Sequence, residues 1–283
     1  MATFMREKCN NLLVVDALNL SFRFRNHGKG FSPFAEKYLA TVQSFAQSFN
    51  CGKILITADK GSSTYRKEIY SAYKQNRKDK FESQTDEEKF EFEQFFEELE
   101  LALDLCEQAG IPVARYKGVE ADDLAAYIVK HYYLKFDGIY LLSTDADWNS
   151  LLAYDGVTRF SYTKKLEYNK DNFEEYHDYP LELATVIKCI QGDAGDNIIG
   201  ITGVGPKRAA ALAGQYGSVF DLYDAADTLP DKPAYLKNVK AEKEKLLLNI
   251  ELVDLIEYCE TAIGEYLTEY DNLIKERIIN GSV

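Results

Sequence analysis

Short apolar runs recur through the first 165 residues, and three of them lead into aspartate. Leu12-Leu13-Val14-Val15 runs into Asp16, residues 53–58 into Asp59, and residues 138–144 into Asp145. Short apolar runs bounded by turn residues read as buried strands. Segments with helical spacing lie between them. That alternation predicts an α/β fold, a mostly parallel twisted sheet flanked by helices. Open parallel sheets bind ligands in the crevice beyond the carboxyl ends of their strands. The pattern therefore delivers three carboxylates to one crevice.

The other elements follow from local signals. Ser32 reads as a helix cap with Pro33 at the first helical position, followed by Phe34, Tyr38, Val42, Phe45 and Phe49 on one face and Gly52 as the stop. Residues 60–80 read as a loop or weak helix, 86–109 as a helix, 111–116 as a strand, 121–135 as a helix and 156–162 as the last strand. From Pro180 the reading is all helical, apart from a glycine-rich turn over 192–207. Two domains are expected, 1–179 and 180–283.

A chain of 283 residues can bury a core without staples. Cys9, Cys51, Cys106, Cys189 and Cys259 are scattered, with no C-x-x-C, which fits a reducing compartment and argues against a thiolate zinc site. His27, His131 and His177 are isolated. The N-terminal apolar run spans four residues and nothing approaches the roughly 18 residues of a membrane helix, so the cytoplasm is the expected location and no membrane partner is expected. The net charge of −13 argues against nucleic acid only until it is mapped. Residues 82–107 hold eleven acids and one base, and the rest of the chain is nearly balanced.

Further acids join the three strand-end aspartates. Glu120, Asp122 and Asp123 open a helix, Asp147 follows Asp145, and Asp193 and Asp196 are three apart. Nine carboxylates in one crevice would repel one another. Hard divalent cations with oxygen ligands resolve that repulsion, so magnesium is expected, with manganese as a substitute. Two such ions roughly 4 Å apart would clamp a phosphodiester for in-line attack. Taken singly, each acid is more often a helix cap or a solvated turn residue. A calcium loop over Asp145-x-Asp147-x-Asn149 fails, because Ser150 and Gly156 stand where Gly and Glu are needed. The joint placement carries the metal reading.

Two basic features accompany the acids. The stretch Ile201-Thr-Gly203-Val-Gly205-Pro-Lys207-Arg208 resembles a helix–hairpin–helix element, in which glycines and helix-start amides approach phosphate. Tyr73, Lys74 and Arg77 follow Asp59 by about fifteen residues. The two bases can stabilise charge on a transferring phosphate, and the tyrosine can stack on a base.

Together these segments resemble the flap endonuclease, or 5′-nuclease, superfamily, with its PIN-like catalytic core. They are most like the small stand-alone enzymes of T-five-like bacteriophages. The segments are VVDALNLSFRF at 14–24, TADKG at 57–61, YKQNR at 73–77, GVEADDLAAYIVK at 118–130, STDADW at 143–148, GDAGDN at 192–197 and GVGPKR at 203–208. The resemblance implies a catalytic domain over 1–179 with a helical arch at about 70–108. It implies a helical DNA-binding region over 180–283, with the helix–hairpin–helix at about 181–222. It also implies a magnesium-dependent, monomeric nuclease of DNA replication that cuts near 5′ flap junctions and degrades 5′→3′, leaving 5′-phosphate and 3′-OH ends.

By that resemblance Asp16, Asp59, Glu120, Asp122, Asp123 and Asp145 form one metal group, and Asp147, Asp193 and Asp196 a second. Lys74, Arg77 and Asp145 are the expected catalytic residues. Arg23, Tyr73, Lys74, Arg77, Gly203, Gly205, Lys207 and Arg208 are the expected DNA contacts, with potassium suggested on the hairpin turn. A PIN-type ribonuclease and a catalytically silent junction-binding protein are the alternatives. The hairpin element disfavours the first and the full set of acids the second.

Overall fold

The computed structural model describes residues 10–25 and 31–281. Cys9 and His27, counted above, lie outside the described residues. The sheet contains β1 (Asn11–Asp16), β2 (Cys51–Thr57), β3 (Val113–Ala114), β4 (Gly138–Leu142), β5 (Val157–Ser161) and β6 (Leu166–Tyr168), in the order β3-β2-β1-β4-β5-β6. Every residue of β1 is buried, because it is paired in parallel on both edges and covered on both faces. All pairings in this sheet are parallel except β5–β6. The α/β expectation holds.

The helices are α1 (Ala17–Ser21), α2 (Ala35–Ser48), α3 (Thr64–Ile69), α4 (Gln75–Glu82), α5 (Asp86–Gln108), α6 (Ala121–Tyr132), α7 (Ala184–Gln191), α8 (Pro206–Tyr216), α9 (Val219–Ala225), α10 (Ala234–Ala241), α11 (Glu244–Val253), α12 (Leu255–Ile263) and α13 (Leu267–Leu273). Side chains alternate across a strand, and β1 shows it. Leu13 and Val15 join Tyr38, Val42, Phe95, Leu99 and Leu103 under α2 and α5. Leu12 and Val14 join Leu124, Ile128, Cys259 and Tyr270 on the other face.

Several boundaries differ from the sequence reading, each for a local reason. Neither Ser32 nor Pro33 starts α2. Its N-cap is Phe34, and the Phe34 and Ala35 amides both donate to Glu98 Oε1 at 2.8 Å. A carboxylate from α5 thus does the work of a local cap. Asn50, at φ 53°, makes the turn after α2, while Gly52 lies inside β2. The strand at 111–116 shrinks to the two residues that reach β2. Residues 156–162 do not close the sheet, because a turn at Lys165 (φ 55°) returns the chain as β6.

The helices after Pro180 divide between two cores. A separate core gathers Ile187, Ile190, Leu212, Leu222 and Leu246 from α7 to α11. Leu255, Cys259, Tyr270, Ile274 and Ile278 instead return to the sheet, where the Tyr270 hydroxyl donates to Leu124 O at 2.7 Å. Amphipathic periodicity shows that a helix has an apolar face, not which core it meets. Among the described residues, no helix is long and apolar enough to cross a membrane.

Candidate functional site

The strand ends deliver the acids as the sequence suggested. Asp16 is the last residue of β1 and caps α1, accepting from Asn19 N at 3.0 Å on Oδ1 and from Ser143 Oγ at 2.9 Å on Oδ2. Asp59 Oδ1 accepts from Ala121 N at 2.6 Å, Asp122 Oδ1 from the Trp148 indole at 2.6 Å, and Asp145 Oδ1 from Asp147 N at 2.9 Å. Capping and site-building therefore coexist. Asp59, Asp122 and Asp145 each use Oδ1 locally, and Oδ2 accepts no hydrogen bond from a described residue.

Asp193 and Asp196 arrive on a small hairpin, β7 (Gly192–Asp193) with β8 (Ile198–Ile199). The sequence reading saw only a glycine-rich turn there. A Cβ on Gly192 would sit 2.3 Å from Gly200 N, and one on Gly200 would sit 2.0 Å from Gln191 O. Only glycine lets these backbones cross. Asp193 Oδ1 then accepts from Gly195 N at 2.7 Å and Asp196 N at 3.3 Å.

Seven of the nine acids line one cleft of about 370 Å³: Asp16, Asp59, Asp122, Asp145, Asp147, Asp193 and Asp196. Lys74, Arg77, Asn19 and Phe22 line it too. Asp147, Asp193 and Asp196 each offer an oxygen within 4.8 Å of the others. The remaining two acids are turned elsewhere. Asp123 is fully buried, and its two oxygens accept from Arg66 at 2.7 and 2.8 Å. Glu120 accepts from Ser63 N at 3.2 Å, Tyr73 Oη at 2.9 Å and Lys74 Nζ at 2.8 Å. Asp123 is thus a structural anion, and Glu120 reaches the cleft through Lys74. The shared E-A-D-D motif did not distinguish them, because the partner that claims Asp123 is 57 residues away.

Tyr73 also departs from expectation. It is 2% exposed, packs with Ile198 and Leu252, and donates to Glu120 and Asp196. In this position it cannot stack on a nucleic-acid base. Lys74 adopts φ 54°, a conformation uncommon for a side-chain-bearing residue, and its amide donates to Asp196 O at 2.9 Å. Its ammonium lies 2.8 Å from Glu120 and 3.7 Å from Asp196, and Arg77 bonds Asp196 at 2.5 Å. The segment before α4 is thereby latched onto the acidic hairpin.

Lys188, which the sequence reading missed, bridges Asp147 and Asp193, at 2.9 Å from the latter. Asn19 was missed as well. It accepts from Thr144 N at 2.9 Å while its own amide holds Asp16, tying β1 to the turn before Asp145. A lysine on an amphipathic helix and an asparagine in a first turn carry no distinguishing signal.

Electrostatics sort the acids into two classes. Burial, then repulsion from Asp59 and Asp145, pushes Asp16 up to about 7. Burial and neighbouring carboxylates also raise Asp122 and Asp145, and burial raises Asp59 against the pull of Lys74 and Arg77. Burial pushes Glu120 upward too, but Lys74 and Arg66 outweigh it, and its carboxyl ends below the ordinary range. Lys188 does the same for Asp193. Asp16, Asp59, Asp122 and Asp145 make no salt bridge with a described residue, and the ligand atoms they offer are carboxylate oxygens. That chemistry fits hard divalent cations.

The sign of the Asp16 shift makes a prediction. The folded state binds an extra proton between about pH 4 and about pH 7, so the contribution of Asp16 to stability is lost as pH rises through that window. In chelator, Asp16→Asn should gain melting temperature relative to the unsubstituted protein as pH rises across it. A pH-independent difference would contradict the assignment.

Lys74 and Arg77 apart, the expected DNA contacts do not line the cleft. Arg23 is exposed, with its guanidinium 6.0 Å from the Phe45 ring and 5.8 Å from that of Tyr162. Gly203 takes φ 76°, Gly205 caps α8, and Lys207 is exposed. Arg208 donates to Gly203 O at 2.6 Å, and Asn238 Nδ2 to Thr202 O at 2.8 Å. A potassium ion on this turn would compete with both donors.

Comparison with known proteins agrees with this geometry. Residues 11–178 match the model of the 5′-3′ exonuclease N-terminal resolvase-like domain, and residues 180–272 that of the 5′-3′ exonuclease C-terminal SAM fold. The flap endonuclease of Escherichia phage T5 is 43% identical over 90% of this chain and 86% of its own. A crystal structure of the bacteriophage T5 flap endonuclease, a pseudo-enzyme–product complex with DNA and metal ions, superposes with a TM-score of 0.89 at 41% identity, covering 95% of this chain and 99% of that one. The catalytic core of Rad2 with DNA substrate, at TM-score 0.53 and 14% identity over 89% of this chain and 79% of that one, shares the fold. The acid-lined cleft at the strand ends, the hairpin that completes it and the two matched domains make this chain a member of the 5′-3′ exonuclease family.

Proposed function

We propose that this protein is a structure-specific 5′ nuclease that hydrolyses phosphodiesters of branched DNA near 5′ flap junctions, degrades 5′→3′ and depends on magnesium. The observation that carries the reading is the cleft itself, with seven aspartates facing one volume and Lys74 and Arg77 at its rim. Divalent cations held by these oxygens would supply charge neutralisation and a water of lowered pKa. Asp16, Asp59, Asp122 and Asp145 would hold one ion, and Asp147, Asp193 and Asp196 would favour a second.

The chain's own residues account for the rest. Asn19 and Ser143 fix Asp16 relative to the Asp145 turn. Lys74 and Arg77 are paired with Glu120 and Asp196 in this state. A phosphate entering the cleft would draw them from those carboxylates toward its own oxygens. Lys207 and the amides at the start of α8 would hold duplex backbone. Charge-stabilising donors act on the transition state. Lys74→Ala should therefore lower kcat by about 100-fold or more with little change in KM. A rise in KM alone would remove Lys74 from the chemistry. Matched DNA and RNA flaps, compared in magnesium, separate this reading from a ribonuclease. Faster cutting of RNA would reverse it.

The acidic helix α5 has a role in the same scheme. Glu88 closes a capping box with Thr85 and is structural. Glu87 and Glu91 are not in that box, and their negative charge would repel a passing strand. Glu87→Gln with Glu91→Gln should tighten flap binding, most strongly at low salt, and so steepen its salt dependence. Unchanged affinity would discard the repulsive role.

A further inference from the structure

Lys60 and Lys117 stand side by side at the outer end of the sheet, their backbones joined by a parallel bridge. Gly118 N donates to Lys60 O at 2.9 Å, which locks the two loops together. Like charges directly opposite each other are destabilising. Both lysines are exposed, and neither makes a salt bridge with a described residue. This occurs in a chain with 46 acids and 33 bases, where carboxylate partners are plentiful.

A third lysine joins them. Thr64 N donates to Gly118 O at 2.9 Å, seating the start of α3 on the same loop. Gly118, at φ 73°, is required there, because a Cβ would lie 2.1 Å from Thr64 Oγ1. Lys67 lies three residues after Thr64, on the same helix face. It too is exposed, without a salt bridge to a described residue. The nearby Arg115 is engaged differently, being paired with Glu100.

The position of this cluster gives it meaning. Lys60 directly follows Asp59, and Lys117 lies three residues before Glu120. The lysines therefore sit at the same strand-end edge as the cleft, displaced toward β3. The hairpin element joins the cleft from its other side, where Lys188 of α7 bridges Asp147 and Asp193. A polyanion crossing the cleft and held only by the hairpin would be anchored on one side of the bond to be cut.

We propose that Lys60, Lys117 and Lys67 form a second phosphate-binding patch, which holds DNA backbone on the side of the cleft opposite the hairpin element. The proposal rests on the nuclease reading above. Either the 5′ single strand or the duplex arm beyond the junction could supply its phosphates, and the two sources leave different signatures.

The test measures equilibrium binding in calcium across a salt series, for the unsubstituted protein and for Lys60→Gln with Lys117→Gln. Each lost phosphate contact removes about 0.9 from the log–log salt slope on duplex and about 0.7 on single strand. The double variant should therefore lose about 1.8 on duplex backbone or about 1.4 on single strand. A loss seen with a 5′-flap duplex and absent with the same duplex lacking its flap assigns the patch to the strand. An equal loss on both assigns it to the duplex arm. The Lys60→Arg with Lys117→Arg variant should keep the original slope. Normal binding with an unchanged slope in the glutamine variant overturns the patch alone. Failure of the unsubstituted protein to bind either DNA overturns the nuclease reading and the patch with it.

Discussion

The Asp145→Asn variant is expected to fold and to bind flap DNA without cutting it. Asp145 lines the cleft, and among the described residues its carboxylate accepts one hydrogen bond, a cap on Asp147 N that the asparagine carbonyl oxygen reproduces. The substitution removes a charge from a set that already repels itself. Burial and then Asp145 push Asp122 far upward, and Asp145 contributes to the shift of Asp16. The metal-free variant should therefore melt at or above the temperature of the unsubstituted protein. Loss of an outer-shell partner of a metal site typically costs about 10–100-fold. Loss of a coordinating carboxylate should exceed the upper end of that range in kcat. A variant that retains more than a tenth of the activity would remove Asp145 from the metal set.

Arg66→Met is the change with the largest expected effect on stability. Arg66 is 1% exposed, forks onto both oxygens of Asp123, and donates through Nε to Leu252 O at 3.0 Å. It ties α3 to α6 and to the end of α11. Removing one partner of a buried pair leaves the other charge uncompensated, at about 3–5 kcal/mol. Replacing both partners by apolar residues of similar volume is often near neutral. Arg66→Met with Asp123→Leu should thus recover most of the loss in a denaturant titration. If the double variant is as unstable as the single one, the guanidinium acts chiefly through Leu252 O and Ser63. The network also borders Glu120, since Arg66 lies 3.5 Å from its carboxylate. The single variant should loosen the segment that carries Lys74 as well.

The parts of the site that local pattern determines were legible in the sequence. Asp16, Asp59 and Asp145 follow apolar runs, and a run buried on both faces of a parallel sheet has few other readings. Asp147 was legible from its place two residues after Asp145, and Asp193 and Asp196 from their spacing, although the hairpin that carries the last two was not. What the sequence did not expose depends on distant partners. Asp122 and Asp123 are adjacent in the chain, yet one faces the cleft and the other faces Arg66. Tyr73 next to Lys74 looked like a stacking residue, but Ile198 and Leu252 bury it. Residues 255–279 read as more of the helical region, and only tertiary packing shows Leu255, Cys259, Tyr270, Ile274 and Ile278 in the core against the sheet. The Glu98 cap on α2 spans 64 residues and leaves no local trace.

A 3′-labelled 5′-flap duplex, incubated with the protein in magnesium and separately in chelator, tests the central claim most directly. The account predicts magnesium-dependent cutting at the junction, a product ending in 5′-phosphate, and no cutting in chelator. Cutting of equal rate in chelator, or tight binding without cutting in either magnesium or manganese, would contradict it.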